Sequence, residues 1–545
     1  MKTILHCLAF AMLFASCTQG IASSQVWLTS AAGDKCAEKE AVVFQQGTAQ
    51  NAIVIDINQK KQTIDGYGGS LTESSAFVLA CLTPEQRQSV LNELFSEDGA
   101  NFPVVRTQIG SSDFSVEGKY ALNEVDGDTA MQFFSLDRDK EGFSATKYPQ
   151  IKEEQYDLYH LMKEVWAIKQ NQADKTYRIM ANTWTAPAWM KDNKKYYERE
   201  NGVARGGALL PEYYQAYANY LAEYIEAWKA EGVNIWAVTP VNEPMGNDGG
   251  WESMDFWPQV ETEFIKHYLG PTLQRRGHQE VAIYGFDQNI FEMQPYSDAI
   301  YGDSIACQYT TGMAVHWYGS TIGCFPEVLE AVHAKNPDKT IFHSEGCIDN
   351  LGCGPWDGVT DPVGFQESGW FNNDAFWWDK IATDWAYSTR WAGKTHPKYS
   401  PVYRYAQYII DGTNHWLTGY CDWNIVLDSI GGPNHVNNFA AAQVMIDYQN
   451  DIIYYTPYYY VLKQFSRSMR PGDVALQVNY PSTMKTGVDC ESQDIFLCAV
   501  EKADGSYAIN ILNMGPETTI PVQLGTHYAN ITLPTASIQT IIVKL

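Results

Sequence analysis

Basic residues are scarce in this 545-residue chain: 38 Lys and Arg stand against 64 Asp and Glu, a formal net charge of −26. Phosphate backbones are gripped by clustered Lys and Arg, so the balance excludes nucleic acid as a partner. Charged residues of either sign reach only 19 %, and no block of like charge is long enough to predict a disordered tail. After the amino terminus no segment has about 18 consecutive apolar residues, so nothing later is predicted to span a membrane. The cysteines lack the paired CxxC spacing of a zinc site, and neither a metal nor a cofactor is expected. Internal repeats and low-complexity linkers are also missing.

Aromatic side chains are plentiful, with 17 Trp and 34 Tyr. Flat apolar rings flanked by hydrogen-bonding groups suit the faces and rims of sugar rings, although a large core also consumes such residues. Together with the negative charge they point to a neutral substrate. The chain opens with Met1-Lys2 and the apolar run Ile4–Ala15, the pattern of an export signal within residues 1–22. Ala15-Ser16-Cys17 resembles a lipoprotein processing site, with Phe14 departing from it; lipid on Cys17 and cleavage near Ala22 are the two alternatives. Of eleven Cys, removing Cys7 and Cys17 leaves nine, an odd number that implies a free thiol. Cys490 and Cys498 flank a predicted hairpin and Cys347 and Cys353 are close in sequence, but spacing alone assigns no pairing.

From about residue 63 to 460 the chain repeats a short apolar strand, a loop and a helical stretch. The predicted strands are 64–68, 104–109, 177–182, 235–241, 281–285, 313–317, 340–344 and 417–423, alternating with helices such as 211–228 and 257–268. Eight such units describe an α/β fold, a (β/α)8 TIM barrel. Residues 40–62 and 461–545 are instead strand-like with turn signals such as Ala503-Asp-Gly-Ser506, which predicts a β-sandwich side domain built from both chain ends.

Two carboxylates end predicted barrel strands. Glu243 lies in Thr239-Pro-Val-Asn-Glu-Pro244 and Glu345 in His343-Ser-Glu-Gly346. A strand that delivers a Glu into a loop starting with Pro or Gly presents it at the carboxyl rim, where barrel enzymes keep their chemistry. A lone Glu at a strand end is usually a solvated residue. Here each has polar company, Asn242 beside one and His343 and Ser344 beside the other, within an otherwise apolar strand, and such burial needs a reason. The chemistry suggested is glycoside hydrolysis by an acid/base and nucleophile pair.

Several segments, in order, resemble glycoside hydrolase family 30, the family of lysosomal glucosylceramidase. They are Asp65-Gly-Tyr-Gly-Gly-Ser-Leu-Thr-Glu73, Arg106 with Ser111-Ser-Asp-Phe-Ser115, Thr183–Lys191, Thr239–Pro244, Ala314–Tyr318, His343–Cys347, Asp422–Leu427 with Gly431-Gly-Pro-Asn434, and the strand pair 504–513. The resemblance implies Glu243 as general acid/base and Glu345 as nucleophile of a retaining β-glycosidase, with carboxyls about 5–5.5 Å apart. It further implies that Asn242 binds the sugar 2-hydroxyl and that Arg106 and Tyr318 orient the nucleophile. Trp184, Trp423, Asn434 and Glu73 would hold the non-reducing sugar, supported by His316 and Trp317. For His316 a satisfied core histidine, and for Trp317 plain core packing, are the competing assignments.

Glu73 is one methylene longer than the Asp common in the glucosylceramidases, which leaves sugar choice open. The tryptophans at 356, 370, 377, 378, 385 and 391 follow the nucleophile strand and would form either an acceptor platform or a packed lid. A glucosylceramidase acting on a glycolipid is the leading expectation, with an exported endo-β-1,6-glucanase as the alternative. No Arg-rich loop suits an acidic xylan, and a non-catalytic glycan-binding lipoprotein would be expected to have lost one of the paired residues.

Overall fold

Eight strands close into a parallel barrel: β1 (Gly66–Leu71), β2 (Val104–Gln108), β3 (Arg178–Asn182), β4 (Ala237–Thr239), β5 (Ala282–Asn289), β6 (Thr310–His316), β7 (Thr340–Glu345) and β8 (Leu417–Asp422), with β8 pairing back onto β1. The structure is a computed structural model that describes residues 21–545 apart from 201–202, 247–249, 319–323, 349–368, 380–399 and 485–493. Strands covered on both faces tend to read as apolar runs, the pattern seen in segments such as Thr340–Glu345 and Thr310–His316, whereas Gly66–Leu71 is glycine-rich. The β1–β2 contact is tight. A Cβ on Gly68 would stand 1.7 Å from the Val104 carbonyl oxygen, so only glycine lets these strands meet.

One residue from each of β2 to β8 fills the lower barrel interior: Val104, Met180, Ala237, Tyr284, Ala314, Phe342 and Cys421 form their own buried apolar cluster. Successive inward positions on a strand are two residues apart. Two residues further up stand Arg106, Asn182, Thr239, His316, Ser344 and Trp423, so the interior turns polar toward the carboxyl rim. On β5 the register slips between Phe286 and Gln288, and both Phe286 and Asp287 take left-handed backbone angles (φ 75° and 64°). The bulge turns the Phe286 ring out against Tyr296 and points Asp287 inward, to meet Arg106, His316 and Ser344.

The chain ends build a ten-stranded, mostly antiparallel side sheet. Ile53–Thr63 runs directly into β1, and Val43–Gln46 pairs with both His527–Leu533 and Ile21–Ser30, so the sheet curls around a core of its own. Its first strand is Ile21–Ser30, paired along Ser537–Val543, so the side domain begins well before residue 40. Alternation in this strand is blurred by Ser23, Ser24 and Gln25, which hid it beside the export signal. The expected boundary at 460/461 falls inside the helix Pro457–Ser468, whose Gln464 and Ser468 bond Thr540 and Asn510 of the sheet. The helix expected over 257–268 continues through a wide turn at Ile265–Leu269 to Arg275. A small sheet of Val426–Asp428, Val444–Asp447 and Ile452–Tyr455 was not anticipated. Cys7, Cys17, Cys353, Cys490, Trp356, Trp385 and Trp391 lie outside the described residues.

Candidate active site

The polar layer at the top of the barrel converges on Asp287. Its carboxylate accepts from Arg106 Nη2 at 3.0 Å, Asn182 Nδ2 at 2.5 Å, Thr239 Oγ1 at 3.0 Å and Ser344 Oγ at 2.5 Å, with His316 Nε2 3.0 Å away. All six residues are buried. Burial opposes the ionised form, yet Arg106 and His316 hold the Asp287 carboxyl far below the usual carboxylate range. Asp287 thereby holds Arg106 and His316, which face Glu345 and Glu243.

Arg106 reaches past Asp287 to Glu345 Oε2 at 2.5 Å and to Asn242 Oδ1 at 2.6 Å. Tyr318 donates to the other oxygen of Glu345 at 2.9 Å. Both Glu345 oxygens thus receive a hydrogen bond, and the planar fork of Arg106 spans three acceptors as an ammonium could not. Glu243 follows β4 in a left-handed backbone conformation (φ 50°), its amide bonded to the Asp287 carbonyl at 3.0 Å. A non-glycine residue held there stores strain, a feature that clusters at working sites.

One oxygen of Glu243, one nitrogen of His316 and one oxygen of Glu345 all lie within 4.8 Å of one another. His316 Nδ1 stands 3.5 Å from Glu243 and 3.8 Å from Glu345. Burial pushes the imidazole toward its neutral form, but Glu345, Asp287 and Glu243 outweigh it, and its pKa is pushed up to about 9. Burial raises the Glu243 carboxyl above its ordinary value and the Glu345 charge adds to the effect, against the pull of His316. The environments of the two glutamates therefore differ: one is clasped by cation and hydroxyl, the other is desolvated and inclined to hold a proton. With Arg106 and a protonated His316 already present, these three donors make a poor seat for a metal ion.

Trp184 and Trp423 stack at 5.2 Å and 29°, with the Arg106 guanidinium 4.7 Å over one ring and 5.4 Å over the other. His316 is thus part of the site rather than a satisfied core histidine. Trp317 is not. It turns away, its indole bonded to the Cys347 carbonyl at 3.1 Å, stacked by Arg404 at 3.9 Å and packed among His343, Tyr405, Tyr408 and Tyr420. Trp370 and Trp377 are likewise buried and stacked on each other.

Two of the residues expected to hold sugar are engaged elsewhere. Glu73 is 1 % exposed, with one oxygen on Arg138 at 3.2 Å and the other accepting the Val116 amide at 2.7 Å. Asn434 uses its side chain within its own loop, accepting the Val436 and Asn438 amides and donating to the Asn438 carbonyl. Asp113 and Asn438 meet between the loops after β2 and β8. Asn438 Nδ2 donates to Asp113 Oδ2 at 2.9 Å, while Asp113 Oδ1 is buried with no partner among the described residues. Burial, with Glu345 and Glu243 facing it, raises the Asp113 carboxyl well above the usual range. Its neighbour Phe114 meets Trp423 edge-on at 5.6 Å. Asp113 lies in Ser111-Ser-Asp-Phe-Ser115 on the rim of β2, and that placement was the available signal. Asp287 had none, because the bulge that turns it inward breaks the period-two pattern.

Comparison with known proteins places the chain in a family. The family described as the glycosyl hydrolase family 30 TIM-barrel domain matches residues 64–368 and 389–469. A putative glucosylceramidase of Caenorhabditis elegans is 25 % identical over 90 % of this chain and 82 % of its own length. The lysosomal acid glucosylceramidase of Mus musculus is 25 % identical over 85 % of this chain and 78 % of its own. Among solved structures, an endo-β1,6-glucanase superposes with a TM-score of 0.70 at 25 % identity, covering 95 % of this chain and 99 % of that one.

Proposed function

The chain belongs to glycosyl hydrolase family 30 and is a glycoside hydrolase, and from that premise we propose that it is a retaining β-glucosidase of the glucosylceramidase type. Retaining hydrolysis needs two carboxyls about 5–5.5 Å apart, close enough for one to attack the anomeric carbon while the other protonates the leaving oxygen. The carrying observation is that oxygens of Glu243 and Glu345 fall within 4.8 Å of each other in opposite environments. Glu345, aligned by Arg106 and Tyr318, is the nucleophile. Glu243, whose pKa is raised by burial and by Glu345, starts protonated as the acid and later takes a proton from water as the base.

Asn242, anchored by Arg106, would meet the sugar 2-hydroxyl beside the nucleophile. The open oxygen of Asp113, the Trp184–Trp423 pair and Asn438 would hold the outer hydroxyls and ring. The glucosylceramidase relatives support a glucosyl lipid as substrate. The solved endo-β1,6-glucanase supports the second reading, cleavage of β-1,6-glucan. Product analysis on glucosylceramide in detergent and on β-1,6-glucan, with Glu345→Gln as blank, separates them. Glucose from the lipid alone supports the first, oligosaccharides from the glucan support the second, and a blank as active as the parent removes Glu345 from its role.

We also propose export with a lipid on Cys17. Processing before Cys17 leaves the side sheet's first strand whole, whereas a cut after Ala22 removes residues that pair with Gln45 and Phe44. Labelling with a clickable fatty acid should mark the parent and not Cys17→Ala; equal labelling, or none in either, rejects the anchor.

A further inference from the structure

The buried carboxylate of Glu252 performs no step in this chemistry, yet it joins three separate rim segments. It follows β4 in the stretch Trp251–Asp255 and is fully buried. Oε1 accepts the backbone amide of Lys119, after β2, at 2.7 Å. Oε2 is 3.1 Å from Nε2 of His435, after β8. The next residue extends the junction to the loop after β3: the Ser253 carbonyl accepts from Lys191 Nζ at 2.8 Å and its amide donates to the Tyr196 carbonyl at 3.2 Å.

His435 completes the clasp. Its backbone amide and its Nδ1 both reach the Ser115 carbonyl, at 3.1 and 2.9 Å. Each ring nitrogen therefore faces an acceptor, a carbonyl on one side and a carboxylate on the other. Nδ1 is bonded to the Ser115 carbonyl, while Nε2 faces the Glu252 carboxylate at ion-pair distance, an electrostatic contact that protonation of the imidazole strengthens. The fit is close: a Cβ on Gly118 would lie 2.3 Å from His435 Nε2.

The segments held in this way carry the glycone wall. Asp113 lies two residues before Ser115, and Asn438, which grips Asp113 Oδ2, lies three residues after His435. Glu243 and Glu345, by contrast, are held by the barrel interior through Asp287, His316 and Arg106. We infer that Glu252 is a positioning residue: through Lys119 and His435 it sets the distance between the loops after β2 and β8, and so aims the open oxygen of Asp113 at a hydroxyl of the bound sugar. This rests on the glycosidase reading of the Glu243–Glu345 pair and adds to it a determinant of sugar binding.

Steady-state kinetics on an aryl β-glucoside tests it with Glu252→Ala, Glu252→Gln, Asp113→Ala and the Glu252→Ala/Asp113→Ala double variant. Glu252→Ala should raise KM roughly tenfold, as expected for a contact to a charged group, and leave kcat within about threefold. Gln keeps an acceptor for Lys119 but loses the charge opposite His435, so it should fall between Ala and the parent. In the Asp113→Ala background the Glu252→Ala change should add almost nothing, a coupling that a general loss of stability would not produce. An unchanged KM in Glu252→Ala, or effects that multiply in the double variant, overturns the inference. Should Glu252→Ala fail to fold, His435→Gln in the same cycle decides from the other side of the clasp. Glu345→Gln run alongside keeps the two readings apart: activity surviving there removes the catalytic pair, whereas its loss with a silent Glu252 removes only the clasp.

Discussion

Replacing His316 with Asn tests the electrostatic design of the site. With Glu345 ionised and Glu243 protonated, the cations Arg106 and His316 face the carboxylates Glu345 and Asp287, and the buried group is neutral. Shifting the imidazole pKa from 6.5 to about 9 corresponds to roughly 3 kcal/mol in favour of its charged form. Because the folded-state value is raised, this stability is fully present below about pH 6.5 and is lost as pH rises through about 9. Denaturant unfolding of the parent should therefore weaken relative to His316→Asn by about that amount between these limits. The variant also removes the His316 pull on Glu243, so the Glu243 pKa rises further and the basic limb of kcat/KM moves to higher pH. Histidine ring resonances, assigned by loss of one signal in the variant, report the titration directly. A His316 signal that titrates at or below pH 6.5, with parallel stability curves for parent and variant, would refute the charge balance.

Arg106→Lys keeps the charge but not the fork over Glu345, Asn242 and Asp287; losing one or more oriented charged contacts should cut kcat/KM by about 10- to 100-fold in steady-state assays. Glu243→Gln should slow hydrolysis of substrates with poor leaving groups by roughly 10²- to 10⁴-fold, while an activated aryl glucoside still loads Glu345, visible as a burst or as intact-mass labelling. Trp317→Phe should lower the melting temperature through its lost bond to Cys347, about 1–3 kcal/mol, with KM moving less than about twofold, because the indole sits in the core and not against sugar. Burial pushes Glu261, bonded to the Phe286 amide, up to about 8. Its raised value means stability falls as pH rises from its ordinary value of 4.5 to about 8, and Glu261→Gln should flatten that fall in pH-dependent thermal unfolding.

The eight barrel strands, the carboxylates of Glu243 and Glu345 at the rim beyond β4 and β7, and Asn242 beside the first could be read from local pattern, whereas Arg106, Tyr318 and His316 were reached only through the family resemblance. Apolar runs of strand length buried on both faces leave a strong local signal, and a Glu before Pro or Gly at a strand end is conspicuous. Other features depended on packing that local pattern does not encode. The β5 bulge reverses which side chains point inward, and so brings Asp287 to the centre of the site two residues beyond the expected strand end. Trp317 and His316 are adjacent in sequence, but strand alternation sends one to the core and the other to the carboxylates. Glu73 and Asn434 have the right chemistry for a sugar, yet Arg138 takes the first and its own loop takes the second. Asp113 and Asn438 meet because residues 325 positions apart are drawn together by the loops after β2 and β8. The sequence by itself determined the barrel scaffold and the two carboxylates at its rim; only the tertiary structure decided which polar side chains are taken up by other protein groups, since that depends on which partners folding brings within hydrogen-bond reach.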